Sequence, residues 1–246
     1  MNEAMQGGLT RLDVGDPENH ERLEQIFRYA QIGRCVNGVT HDINNHLGAA
    51  MAYAELALMG EGVNEETQQT LEKVITAIDK CGKLVSTLTA VARPMTDNTN
   101  MVDLNSLVRG VLLLRDYAFR VAKIEMAADL TEGMPSAIAD GPKIQLALLY
   151  IFLNIEEHVT QNQTTGAVSI RSYRDDTGLF IEIKDSGESI PEDVAAAMFE
   201  PYTTSKQTSN LGMGLALARK MLQTQNGDIS YDAERGFVMR VPVPGI

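Results

Sequence analysis

His41 and Asp42 stand side by side in the stretch VNGVTHDINNHLGAAMAYAELAL, residues 36 to 58, and their side chains have the chemistry of an activated nucleophile. An imidazole changes charge near neutral pH, and a carboxylate beside it can accept a hydrogen bond from one ring nitrogen. That bond fixes the tautomer, so the other nitrogen carries the lone pair. Asn45 follows His41 by four residues and shares its helical face. A histidine alone on a helix is more often a surface residue than a nucleophile, so the pair acquires meaning only from what the rest of the chain supplies.

The element that positions the pair reads as a long helix. Ile26, Tyr29, Gly33, Val36, Thr40, Ile43, Leu47, Ala50, Ala54 and Ala57 recur at spacings of three and four, a heptad pattern with His41 one residue past a seam position. Residues 1 to 17 read as a leader, with the helix beginning near Pro17 and Glu18 under an Asp16 cap and running to about Met59. Gly60-Glu61-Gly62 breaks it. Asn64 caps a second helix whose seam is Leu71, Val74, Ile78, Cys81, Val85, Leu88 and Ala92, ended by Pro94. Two such helices form an antiparallel hairpin that buries little alone, so residues 18 to 93 are expected to pair with a second copy as a homodimeric four-helix bundle.

Composition narrows the partners. The chain has 246 residues, 44% of them hydrophobic, and a net charge of −12 with a pI near 4.8. That size supports one large or two ordinary domains with packed cores. The acidity speaks against nucleic acid and anionic membrane surfaces, both of which need basic clusters. No run approaches a membrane span and the N-terminus lacks a signal peptide, so a cytoplasmic protein is expected. Cys35 and Cys81 have no metal-ligand spacing and read as reduced thiols.

PMTDNTN, residues 94 to 100, reads as a linker to a second domain over 101 to 246. There the pattern mixes strands (Met101 to Asp103, Lys123 to Ala127, Ser136 to Ala139, Ala167 to Arg174, Gly178 to Lys184, and a closing hairpin from Asp228 to Pro242) with helices near Asn105 to Val121, Pro142 to Val159, Pro191 onward and Gly214 to Gln225. This is an α+β sandwich, a sheet with helices on one face. Three stretches in it can carry chemistry. DSGES at 185 to 189 presents a carboxylate at a strand end, and Gly187 allows close approach to the backbone. NLGMGLALARKM at 210 to 221 leads Gly212 and Gly214 into a helix whose N–H groups can receive phosphate. Asn154 is an amide within the apolar run Leu148 to Ile155, either a satisfied core residue or a ligand.

Taken in order, these residues resemble the catalytic region of a two-component sensor histidine kinase with its gyrase-like ATPase domain. THDINNHLGAAMAYAEL resembles the phosphoacceptor box, Asn154 the magnesium-binding asparagine, DSGES the first glycine box, MFEPYTTSK at 198 to 206 the phenylalanine box of the ATP lid, and NLGMGLALARKM the second glycine box. The resemblance implies that His41 is phosphorylated from ATP with Asp42 as its orienting base, and that Asn45 positions water when the phosphorylated partner is dephosphorylated. It implies adenine recognition by Asp185 and Gly187, Mg²⁺ ligation by Asn154, a phosphate cradle at Gly212 and Gly214, lid anchoring by Phe199 and phosphate contact by Lys206. The implied partners are a second copy, a response-regulator receiver domain, and in one arrangement a separate sensor protein. Tyr150 stands where an earlier asparagine is usual and Ser189 where a glycine is usual, Glu156 and Glu157 add negative charge near Asn154, and His46 replaces a frequent proline. A phosphotransferase or phosphatase with a degenerate ATP domain, or a non-catalytic receiver-docking adaptor, are the alternatives these departures leave open.

Overall fold

The computed structural model describes residues 39–60, 62–92, 98–162, 165–188, 190–201 and 212–243. The expected leader, the first helix up to residue 38 with Cys35, residue 93 with the first part of the linker, 94 to 97, Ser189 and Lys206 lie outside the described residues. The hairpin is present as α1, described over 39–58, and α2, Glu65–Ala92. Asn64 accepts a hydrogen bond from the Thr67 N–H at 2.8 Å, which satisfies a first-turn donor and starts α2 where the sequence places its cap.

The heptad seam divides into two rows. Thr40, Leu47 and Ala54 on α1 are buried or half-buried, as are Leu71, Ile78 and Val85 on α2, whereas Ile43, Ala50 and Ala57 and the row Val74, Cys81 and Leu88 are exposed. Each exposed row repeats every seven residues, so it forms a continuous apolar stripe. The last turns of α2 dock on the second domain. Thr87, 4% exposed, lies against Gly110, where an added Cβ would come 2.8 Å from Thr87 Oγ1 and 3.1 Å from Gln145 Nε2.

The second domain runs β1 (Asn100–Val102), α3 (Leu104–Val121), β2 (Ile124–Leu130), β3 (Ala137–Ala139), α4 (Gly141–Asn162), β4 (Gly166–Asp175), β5 (Gly178–Asp185), α5 (Glu192–Ala197), α6 (Gly214–Gln223), β6 (Asp228–Asp232) and β7 (Gly236–Val241). β1 and β3 form an antiparallel ribbon, and the other strands form a sheet in the order β2-β4-β5-β7-β6. β2 joins β4 in parallel, and the remaining neighbours are antiparallel. Val168, Ile170 and Ser172 point inward on β4 while their neighbours stay at the surface or half-covered, the alternation of a sheet covered on one face.

On the covered face, α4 presents Ile144, Leu148, Ile151, Ile155 and Val159, none more than 1% exposed, at helical spacing. Phe119 of α3 meets Phe152 edge-on with ring centres 6.0 Å apart. Removing one such side chain, as in Ile151→Ala, costs about 2–5 kcal/mol. The uncovered face carries an open groove of about 440 Å³ between β2, β4, β5 and the β6–β7 turn, lined in part by Arg171, Glu182, Lys184 and Arg235.

Asp140, 2% exposed, ties the inter-domain segment to this core. Its Oδ1 accepts from the Lys143 N–H at 3.2 Å, its Oδ2 from the Asn98 N–H at 3.3 Å, and its own N–H donates to Gln225 Oε1 at 2.6 Å. One residue thus fixes the linker, the start of α4 and the chain just after α6.

Candidate active site

The candidate residues fall in two groups. His41, Asp42 and Asn45 lie on one side of α1, where the side chains of His41 and Asp42 are 75% and 79% exposed. Asp42 Oδ1 is 3.5 Å from His41 Nδ1, and Asn45 Nδ2 is 3.3 Å from the same nitrogen. Nε2 has no hydrogen-bond partner among the described residues, and the exposure of the side chain leaves the ring accessible to an approaching electrophile. Thr40 beside it is buried, so the backbone under His41 is held by packing while the ring stays exposed.

The second group gathers around α4, the end of β5 and the start of α6. Asp185 is the last residue of β5, and its Oδ1 accepts from the Gly187 N–H at 2.8 Å. Ser186 continues the ladder to β4: its N–H donates to Ala167 O, and its Oγ accepts from the Ala167 N–H, both at 2.9 Å. The half-buried carboxylate is therefore held rigidly, with Oδ2 left for a donor. Gly187 has a second neighbour, since a Cβ there would fall 2.3 Å from Cδ2 of His158. His158 Nε2 lies 3.0 Å from the Glu188 carbonyl, so that ring nitrogen carries the proton and donates.

Gly212 has φ +63, a conformation that favours glycine, and turns the chain into α6. Among the described residues no side chain caps α6 at Met213, which leaves its first-turn N–H groups available to an anion there. Gly214 sits on Tyr150, with an added Cβ 3.4 Å from Cδ1 of the phenol ring. Burial pushes the Tyr150 hydroxyl above the ordinary phenol value, which keeps it neutral beneath the helix end. Asn154, one turn on from Tyr150, is half-buried, and its amide has no hydrogen-bond partner among the described residues. An amide without a partner among the described residues, one turn along α4 from the ring that underlies Gly214, fits a hard cation bound chiefly through a polyphosphate. No group of three or more His, Cys, Asp or Glu able to hold a metal by itself occurs among the described residues.

Phe199, after α5, meets Phe237 edge-on at 6.4 Å, and the Arg219 guanidinium lies 5.2 Å from its ring centre. Arg219 also grips Asp228 through Nε at 2.9 Å and an Nη at 3.2 Å. Phe199 is thereby fastened to α6 and to the start of β6.

The charge that the sequence places near Asn154 is partly removed by the fold. Glu156 forms a largely buried ion pair with Arg115 of α3, with side chains 22% and 18% exposed. Its carboxylate points to the neighbouring helix and is neutralised there. Sequence reasoning also left out His158, although its spacing of four from Asn154 puts both on one face of α4. Arg219 and Arg115 carry no comparable signal, because their partners are 9 and 41 residues away.

The model for histidine kinase-, DNA gyrase B- and HSP90-like ATPases matches residues 139–245, and the model for the His kinase A phospho-acceptor domain matches residues 31–96. The signal transduction histidine-protein kinase AtoS of Escherichia coli strain K12 is 28% identical over 221 residues, covering 89% of this chain and 36% of its own length. The sensor histidine kinase ZraS of the same strain is 28% identical over 231 residues, covering 91% of this chain and 48% of its own. The chain thus spans between about a third and a half of these relatives. The nucleotide-free catalytic domain of histidine kinase ThkA superposes with a TM-score of 0.53 at 25% identity, covering 59% of this chain and 95% of that one. ThkA in complex with the response regulator TrrA gives 0.51 over 92% of this chain and 65% of that one, and its 20% identity speaks to fold alone.

Proposed function

The chain belongs to the two-component sensor histidine kinases, as their phosphoacceptor hairpin and ATPase domain, and from that premise we propose that it transfers the γ-phosphoryl group of ATP to His41 and then to an aspartate of a response-regulator receiver domain. The observation that carries this reading is the pairing of an exposed imidazole engaged at Nδ1 with a second site in which, among the described residues, a helix N-terminus is uncapped and an amide has no partner. Phosphoryl transfer needs positioning and charge neutralisation more than covalent catalysis, and these two groups divide that work.

In this reading Asp185 receives the adenine amino group, and the Gly187 to Glu188 backbone, held by His158, walls the base. The N–H groups at Gly212 to Gly214 take the phosphates, with Phe199 and Lys206 serving the same nucleotide. Asn154 holds Mg²⁺, which supplies the positive charge that an acidic chain lacks. Asp42 keeps the proton on Nδ1, so the lone pair on Nε2 faces the phosphorus. Asn45 positions water when the receiver is dephosphorylated. The exposed rows Ile43, Ala50, Ala57 and Val74, Cys81, Leu88 join two copies in a four-helix bundle, and the dimer works in the cytoplasm. Among the described residues no helix is long and apolar enough to cross a membrane.

The test is incubation with γ-labelled ATP and Mg²⁺ beside His41→Gln, following acid-labile, base-stable label. The parent should label and the variant should not. An unlabelled parent that also fails to bind nucleotide in a calorimeter would sink the kinase reading.

A further inference from the structure

Nδ1 of His41 has two neighbours that make opposite demands on it. Asp42 Oδ1 is 3.5 Å away and Asn45 Nδ2 is 3.3 Å away. An ionised carboxylate only accepts, so the Asp42 contact is a hydrogen bond when Nδ1 bears the proton. An amide nitrogen only donates, so the Asn45 contact is one when Nδ1 bears the lone pair. A neutral imidazole meets one demand at a time, and each choice decides the far side of the ring. With Nδ1–H, Nε2 has a lone pair; with a lone pair at Nδ1, Nε2 is protonated.

The two contacts are close to balanced. A hydrogen bond to an ionised acceptor is roughly twice as strong as a neutral one, which favours Asp42. Its length is at the outer limit for a hydrogen bond and the Asn45 contact is shorter, which favours Asn45. Both His41 and Asp42 are largely exposed, so water weakens either choice.

We propose that Asn45 is a positioning residue that competes with Asp42 for Nδ1 and so sets the fraction of neutral His41 that presents a lone pair at Nε2. Its consequence for phosphorylation rests on the kinase reading. In that step the Nε2 lone pair forms the N–P bond while the bond from the γ-phosphorus to the bridging oxygen breaks, and ADP leaves with that electron pair. The positive charge gained by the ring is met at Nδ1–H by the Asp42 carboxylate. The tautomer held by Asn45 has its proton on Nε2 and no pair to give, so Asn45 slows the forward reaction.

The experiment measures ring ¹⁵N shifts of His41 by two-bond ¹H–¹⁵N correlation at about pH 8.5, where an ordinary imidazole is neutral, with the signal assigned by its loss in His41→Gln. Asn45→Asp is nearly isosteric and turns the donor into an acceptor, Asn45→Ala removes it, and Asp42→Ala removes the competitor. The Nδ1–H fraction should rise in both Asn45 variants and fall in Asp42→Ala. Autophosphorylation at saturating ATP should follow the same order, rising by up to about twofold in Asn45→Ala, the ceiling when two balanced contacts leave about half of the neutral ring as Nδ1–H, with KM for ATP unchanged. Ring shifts that do not move in the Asn45 variants of an active kinase overturn this proposal alone. A parent that takes no label overturns the kinase reading and the consequence drawn from it, whatever the ring shifts show.

Discussion

The imidazole of His158 occupies the space where a side chain at position 187 would begin: a Cβ on Gly187 would lie 2.3 Å from Cδ2 and 2.5 Å from Nε2 of that ring. A helix and the turn after β5 are thus fitted together through the absence of one methyl group. Gly187→Ala must push the ring away or distort the turn that also holds Asp185, at a cost of about 1–3 kcal/mol. We expect binding of a fluorescent ATP analogue to weaken about tenfold. The same Cβ would also lie 2.5 Å from Asp185 Oδ1, so adding His158→Ala should restore only part of the melting temperature, and no restoration at all would show that the ring is not what the methyl group displaces.

Arg115 and Glu156 form the second fastening, between α3 and α4. Arg115→Ala leaves a largely buried carboxylate without its partner and should lower stability by about 1–3 kcal/mol in urea unfolding. Replacing the pair by Arg115→Met with Glu156→Leu should cost much less, because the penalty comes from the stranded charge more than from the lost attraction. Equal losses in both would contradict this account.

Acid should loosen the domain through Asp228 and Asp103. Burial pushes the Asp228 carboxyl up, but hydrogen bonds from Arg219, the Ile229 backbone and Gln223 outweigh it and hold it below the ordinary carboxylate range. Burial likewise pushes the Asp103 carboxyl up, and hydrogen bonds from the Ser106 hydroxyl and the Ser106 and Asn105 backbone outweigh it and hold it below the ordinary range. A carboxylate depressed in the folded state stabilises above its unfolded value of about 3.9, and that contribution disappears as pH falls through the folded value. The urea midpoint should therefore decline below about pH 4. Asp228→Asn should lower it at pH 7 and flatten the decline, and an unaltered acid limb in that variant would remove Asp228 from the explanation.

The exposed heptad rows of the hairpin predict a dimer. Light scattering at micromolar concentration should give twice the chain mass for the parent and the chain mass for Ile43→Glu with Val74→Glu, since Ile43 and Val74 are 39% and 42% exposed in the single chain. A monomeric parent would exclude the four-helix bundle.

Several local features were legible because short-range chemistry causes them. Asn64 caps α2 as its side chain dictates, and the turn at Asp175 to Gly178 closes the β4–β5 hairpin with Thr177 donating to Asp175 through both its N–H and its hydroxyl. Asp103 was less transparent. It reads as the end of a strand, yet its carboxylate accepts from the N–H groups of Asn105 and Ser106 and opens α3. Extended conformation is what an N-cap residue adopts, so the two readings look alike until the partners are in place.

What the sequence by itself determined is the order of the parts: an amphipathic hairpin bearing His41, Asp42 and Asn45, then a mixed domain in which Asn154, Asp185, Gly187, Gly212 and Gly214 each stand at an element end or on a helix face. Periodicity, caps and glycine conformation act over a few residues and are written in neighbouring letters. The parallel pairing of β2 with β4, the neutralisation of Glu156 by Arg115, the seating of His158 on Gly187 and the grip of Arg219 on Phe199 were decided only by the tertiary structure. Each of these joins residues from different elements, and such contacts arise from filling a common core and satisfying buried charge, which no local pattern of residues encodes.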